Sequence, residues 1–188
     1  MPELPGRSVV FLDNSGSMGC YMSDRSQRRV IDVAALFAAA IAKGQNADIV
    51  MFSHYVKDFN YDPTDSVLSI MDKILSKVDG GGTDFVAPWK HIHGKGRAYD
   101  RVFILSDMQG WIKTWGSNLP GPASKAYAKA LKVSPFIYSW DLHSYGDMQF
   151  PEAQVACLAG FSEKLFDLFE VLEQDKQALV KEIEKIEL

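Results

Sequence analysis

Three short stretches of the chain carry oxygen-bearing side chains at spacings that suit a hard cation. Asp13, Ser15 and Ser17 stand as D-x-S-x-S in "LDNSGSM", Thr83 lies within "GGGTD", and Asp107 ends "RVFILSD". Carboxylate, hydroxyl and water oxygens are what Mg²⁺ accepts, in octahedral geometry at roughly 2.0–2.1 Å, with Mn²⁺ or Ca²⁺ as substitutes. Two aspartates about balance a dication, and three hydroxyls add no charge. Such an ion keeps Lewis acidity for one more anionic oxygen from outside, which favours a recognition site completed by a ligand's carboxylate or phosphate. Taken alone, D-x-S-x-S also fits a tight strand-to-helix turn with local Asx hydrogen bonds. The addition of GGGTD and a later strand-end aspartate, in that order, is what points to a metal.

The elements that must position these residues are legible as alternating strands and helices. "SVVFLD" (Ser8 to Asp13), "ADIVMFS" (Ala47 to Ser53), "RVFILSD" (Arg101 to Asp107) and "PFIYSWD" (Pro135 to Asp141) are apolar runs without alternation, as expected of strands buried on both faces of a parallel sheet. "YVKDFNY" (Tyr55 to Tyr61) alternates apolar and polar residues after a very short link, which predicts an antiparallel edge strand. "AQVACLAG" is read as a short last strand. Helical spacing marks "RRVIDVAALFAAAIAKG", with Gly44 in the position of a C-terminal glycine, and "TDSVLSIMDKILSKV", "ASKAYAKALKV" and a long amphipathic segment from Ser162. A short helix after GGGTD has Pro88 in its first turn. The expected fold is α/β: a doubly wound, mostly parallel sheet with one antiparallel edge strand and helices on both faces. Ligands in such sheets bind at the carboxyl ends of the strands, where strand order reverses. Asp13 and Asp107 both fall at that end, and Gly80, Gly81 and Gly82 give the Thr83 loop backbone freedom.

Composition narrows the function classes. The 188 residues suit one domain with a substantial core, and 47% hydrophobic with 23% charged residues is ordinary for a globular protein. A formal net charge of −4 gives no general attraction for nucleic acid. Cys20 and Cys157 fit no zinc spacing and are read as reduced thiols, hence a cytoplasmic expectation. No apolar run reaches the roughly 18 residues of a membrane span. The expected organisation is a linker over residues 1–7 from a preceding module, a domain over residues 8–172, and a helix extension over 173–188.

At the metal-type residues the sequence resembles a von Willebrand A (vWA) domain with a metal-ion-dependent adhesion site, whose Asp-x-Ser-x-Ser, Thr and Asp are each matched. The resemblance implies hydroxyl ligands from Ser15, Ser17 and Thr83, with Asp13 and Asp107 binding directly or through water. "GGGTDF", "YDRVFILSDMQGW", "YSWDLHSYGDMQF" and "LAGFSEKLFD" are more narrowly similar to the vWA domain of bacterial Ro ribonucleoproteins, which carry a TROVE module. In that family a ring of helical repeats, absent from this chain, binds small noncoding RNAs. The resemblance implies RNA binding for a parent protein and a binding role, with no catalysis, for this domain; its own ligand would be a protein or RNA offering a carboxylate or phosphate.

Other residues carry two readings each. Trp111 and Trp115 follow Asp107 and either wall the metal or fold back onto the core. Arg25, with Arg28 and Arg29, either guides an anion to the ion or is a solvated turn. His143 is a further ligand-contact candidate. Asp84 is either a second carboxylate behind the metal or a cap for the helix that follows. His91 and His93 mimic a metal-binding H-x-H, but residues two apart on a helix face nearly opposite ways. A serine hydrolase using Ser17, Asp107 and His143 is the catalytic alternative; it lacks the G-x-S-x-G elbow, because Ser15 replaces the first glycine.

Overall fold

A computed structural model describes residues 4–107, 120–142 and 155–159, together with 166, 169, 172 and 173. Six strands form one sheet: β1 (Ser8–Asp13), β2 (Asp48–Phe52), β3 (Val56–Phe59), β4 (Arg101–Ser106), β5 (Phe136–Asp141) and β6 (Val155–Ala159). Their order is β3-β2-β1-β4-β5-β6, and only the β2–β3 pair is antiparallel. The helices are α1 (Val30–Gln45), α2 (Val67–Leu75), α3 (Ala87–Gly94) and α4 (Pro120–Leu131). The expected α/β architecture is therefore present, including the antiparallel edge. From β1 the chain steps outward one way to β2 and later the other way to β4, so the switch point lies between β1 and β4.

Strand parity divides the core. Val10, Leu12, Phe103, Leu105, Tyr138 and Trp140 pack with α1 and α2 on one face. Val9, Phe11, Val50, Phe52, Val102 and Ile104 pack with Trp89 of α3 and Tyr127 of α4 on the other. Both faces of β1 and β4 are fully buried, which is why their sequences show no alternation.

The helix ends differ from expectation in two places. Gly44 lies inside α1, and Asn46 takes the left-handed C-terminal position instead, with φ 47°. A short amide side chain tolerates that conformation better than other residues with a β-carbon. Helix α4 begins at Pro120, three residues before the expected start, because a proline in the first turn has no helical N–H to lose. The N-cap of α2 follows the expected chemistry, with Ser66 Oγ accepting the Ser69 N–H at 3.1 Å.

Residues 4–7, expected as linker, pack against the lower edge of the sheet. Leu4 is buried and donates its N–H to Gln45 Oε1 at 3.0 Å, and the Arg7 N–H reaches Asp100 Oδ2 at 2.7 Å. At the same edge the buried Arg101 guanidinium pairs with Glu173, one residue past the expected domain limit, and donates to the Pro5 carbonyl at 2.6 Å. Phe169 and Leu172 join the core beneath Tyr138. No helix among the described residues is long and apolar enough to cross a membrane. Cys20 and Cys157 are free thiols.

Candidate metal centre

Asp13 ends β1 with the parity of Val9 and Phe11, so its side chain falls on the α3 face, toward the loop that leads into α3. It is fully buried. One carboxylate oxygen accepts the Ser15 N–H at 2.8 Å and the other accepts the Ser106 hydroxyl at 2.6 Å. Among the described residues Asp13 has no cationic partner. Burial is the largest influence on it and pushes its carboxyl up to about 6, against the lowering effect of the Ser106 and Ser15 hydrogen bonds; the Asp107 charge adds to the rise. Asp107 follows β4 directly and is 2% exposed.

The loop after β1 turns through a short 3-10 segment, Gly16–Gly19, which places Ser15 and Ser17 on one side with their hydroxyl oxygens 3.3 Å apart. Ser15 is buried and Ser17 is partly exposed. Backbone hydrogen bonds fasten this loop to its neighbours. The Asn14 N–H donates to the Phe52 carbonyl at 2.8 Å, the Gly80 N–H to Asn14 at 3.1 Å, and the Gly16 N–H to Gly81 at 2.8 Å. The GGG segment can do this because Gly80 and Gly81 adopt φ values of 76° and 99°, where side chains are strained. Thr83 follows, 1% exposed, with its Oγ1 buried and, among the described residues, without a hydrogen-bond partner.

These observations fit a hard dication. A buried hydroxyl without a partner costs free energy unless something accepts its lone pairs. A buried carboxylate with only neutral partners, and a second nearly buried carboxylate repelling it, calls for positive charge. The donor set is oxygen only.

Other sequence candidates are placed as follows. Asp84 Oδ1 accepts the N–H groups of Val86 at 2.8 Å and Ala87 at 3.3 Å, so this carboxylate oxygen caps the start of α3. Arg25 is exposed in a turn where the Ser26 N–H bonds the Ser23 carbonyl, within a hairpin closed by the Tyr21–Arg29 bridge. His91 hydrogen-bonds Asp58 at 2.7 Å, and Lys95 pairs with the same carboxylate, away from Thr83. Trp111, Trp115 and His143 lie outside the described residues. A cavity of about 550 Å³ lined by Leu4, Arg7, Ser8, Gln45 and Asp48 opens at the opposite edge of the sheet and contains none of the candidate ligands.

Sequence reasoning missed Ser106, whose hydroxyl orients Asp13, and His54, whose ring lies against Gly81. The first was detectable: continuing the β1–β4 register one step past Leu12–Leu105 puts Ser106 opposite Asp13. The second was not, because it depends on how a three-residue turn bends.

Comparison with known proteins places this geometry. The crystal structure of the Ro (RSR) protein of Deinococcus radiodurans aligns with a TM-score of 0.68 and 21% identity, covering 84% of this chain and 32% of that one. Proximal thread matrix protein 1 from the mussel byssus, in a structure with a zinc-occupied MIDAS motif, aligns with a TM-score of 0.58 and 18% identity, covering 92% of this chain and 48% of that one. The PilB minor pilin of Streptococcus sanguinis aligns with a TM-score of 0.57 and 13% identity, covering 93% and 63%. At these identities the likeness is one of fold. The chain spans about a third of the length of the Ro protein and about half that of the byssus protein. A sequence search of curated proteins finds no match. The family profile described as the Ro60 vWA domain matches residues 7–135, well over half the sequence, and the chain therefore belongs to the Ro60 vWA domain family.

Proposed function

We propose that this domain binds its partner through a divalent cation, with Mg²⁺ as the physiological ion, and performs no catalysis. The observation that carries this reading is the tying of the loop after β1 to the end of β2 and to the glycine loop, backbone to backbone, beside a buried Asp13 and a buried Thr83 hydroxyl that has no hydrogen-bond partner among the described residues. Asp13, Ser15, Ser17, Thr83 and Asp107 would hold the ion. When bound, the ion supplies a Lewis-acid position for an anionic oxygen of the partner. The protein's own part is positioning. The Ser15 N–H and Ser106 hydroxyl fix both oxygens of Asp13, and the Gly16–Gly81 bond fixes the Thr83 loop relative to the serines. The zinc-bearing byssus relative supports a divalent ion in this fold; the choice of Mg²⁺ rests on the hard, oxygen-only donor set.

The partner is a protein or RNA group offering a carboxylate or phosphate. Family membership supports a place in a Ro-type, RNA-binding ribonucleoprotein of the cytoplasm, with small noncoding RNA held by a helical-repeat module outside this chain. Against the hydrolase alternative, the loop lacks the G-x-S-x-G elbow, and Ser17 Oγ lies 3.3 Å from the Ser15 hydroxyl. Two measurements test the reading. Capture of a partner from lysate should require Mg²⁺, disappear with chelator, and be lost in Asp13→Asn. A serine-directed covalent probe should leave Ser17 unlabelled; chelator-insensitive labelling that vanishes in Ser17→Ala would establish the hydrolase instead.

A further inference from the structure

The carboxyl edge of the sheet carries an exposed aromatic pair that the metal ligands do not use. The turn between β2 and β3 presents His54 and Tyr55, both exposed, with ring centroids 4.0 Å apart; Tyr55 is 72% exposed. This turn is held firmly. The Ser53 N–H bonds the Tyr55 carbonyl at 2.8 Å, the Ser53 carbonyl accepts the Asp84 N–H at 3.0 Å, and the preceding Phe52 carbonyl accepts Asn14. The His54 ring sits so close to Gly81 that a β-carbon there would meet Nδ1 at 2.4 Å. Gly81 in turn accepts the Gly16 N–H, between Ser15 and Ser17. Only one residue therefore separates the imidazole from the loop that carries the candidate hydroxyl ligands.

Neither ring is used by the fold. Among the described residues His54 makes no side-chain hydrogen bond or ion pair, and the ring that Tyr55 meets is that of His54 itself. Of the large exposed hydrophobic residues, Leu36 and Leu68 lie on helices α1 and α2, whereas Tyr21 and Tyr55 stand in segments joined to the metal loops. An ordered aromatic held in water next to a site open to an anionic group is surface suited to contact. The formal net charge of −4 gives a polyanion no general attraction, while a peptide with one acidic side chain meets little repulsion.

We propose that His54 and Tyr55 form a specificity rim beside the metal and select a protein segment in which the metal-bound Asp or Glu adjoins an aromatic or large apolar residue. The proposal rests on the metal-dependent reading above. Fluorescence anisotropy with end-blocked, labelled Gly-Gly-Asp-Phe-Gly-Gly and Gly-Gly-Asp-Gly-Gly-Gly, in Mg²⁺ and in chelator, tests it alongside calorimetric Mg²⁺ titration. The wild type should bind the Phe peptide about fivefold to tenfold more tightly. Tyr55→Ala should erase that ratio at unchanged Mg²⁺ affinity and unchanged urea midpoint, and Tyr55→Phe should retain it. Equal ratios in wild type and Tyr55→Ala would overturn the proposal. So would failure of both peptides to bind a Mg²⁺-loaded domain, or tighter binding of a labelled ten-nucleotide oligouridylate. Failure of the wild type to take up Mg²⁺ is a separate outcome, which removes the metal-dependent reading and the rim with it.

Discussion

Asp13 carries an electrostatic cost that a cation would remove, and that cost is measurable through pH. Its carboxyl titrates at about 6 in the folded chain against an ordinary 3.8, chiefly through burial. Because the folded value is the higher one, protonated Asp13 favours the folded metal-free chain. That contribution is complete below about pH 4 and is lost as pH rises through about 6. In chelator this one group should therefore make the domain roughly 1 kcal/mol more stable at pH 5 than at pH 7, a difference absent from Asp13→Asn in urea titrations. Metal affinity should run the other way, falling up to about tenfold per pH unit below about 6, since the ion must displace the proton. Thr83→Val separates site from scaffold. The swap removes a buried hydroxyl that has no partner, so metal-free stability should hold or rise by about 1 kcal/mol while Mg²⁺ affinity falls. A Thr83→Val variant that unfolds readily in chelator would mean the hydroxyl has a structural partner.

At the scale of elements, the glycine loop is where local geometry and site meet. Gly81 combines φ 99° with the His54 ring at the place of a β-carbon, whereas Gly80 at φ 76° has open space around it. Gly81→Ala should cost about 2 kcal/mol or more and weaken metal binding, and Gly80→Ala about 1 kcal/mol, as read from urea midpoints with and without Mg²⁺. Equal costs would show that His54 yields without penalty. The strands were legible in the sequence because burial on both faces writes an uninterrupted apolar run, as in "SVVFLD" and "RVFILS". The antiparallel β3 was legible from its alternation and short link. Helix ends were less so. The left-handed residue that ends α1 could be Gly44 or Asn46 by type alone, and only packing decides between them. The candidate ligand set could be picked out because oxygen donors at strand ends are few and ordered. Ser106 becomes visible only once the β1–β4 register is drawn, and His54 not at all, since it acts through the bend of a turn.

For the molecule as a whole, the two edges of the sheet do different work. The carboxyl edge gathers the loops of the candidate metal centre at the switch point between β1 and β4. The opposite edge closes the domain, with Arg101 buried against Glu173 and the Pro5 carbonyl, and Tyr138 donating to the Phe169 carbonyl at 3.1 Å. Removing Glu173 would leave a buried guanidinium without its counter-charge. Glu173→Gln should therefore lower stability by about 2–3 kcal/mol at neutral pH without altering Mg²⁺ affinity. A loss of metal binding in that variant would instead couple the two edges. Membership in the Ro60 vWA domain family accounts for the fold, and under the metal-dependent reading the ion would be the point at which fold becomes function. The most direct test follows free Mn²⁺ by electron paramagnetic resonance as the protein is added. Wild type and an exposed Asp72→Asn control should each withdraw one ion per chain, and Asp13→Asn and Asp107→Asn none. Wild type that leaves the Mn²⁺ signal untouched, or aspartate variants that withdraw it equally well, would contradict a cation shared between the loops after β1 and β4.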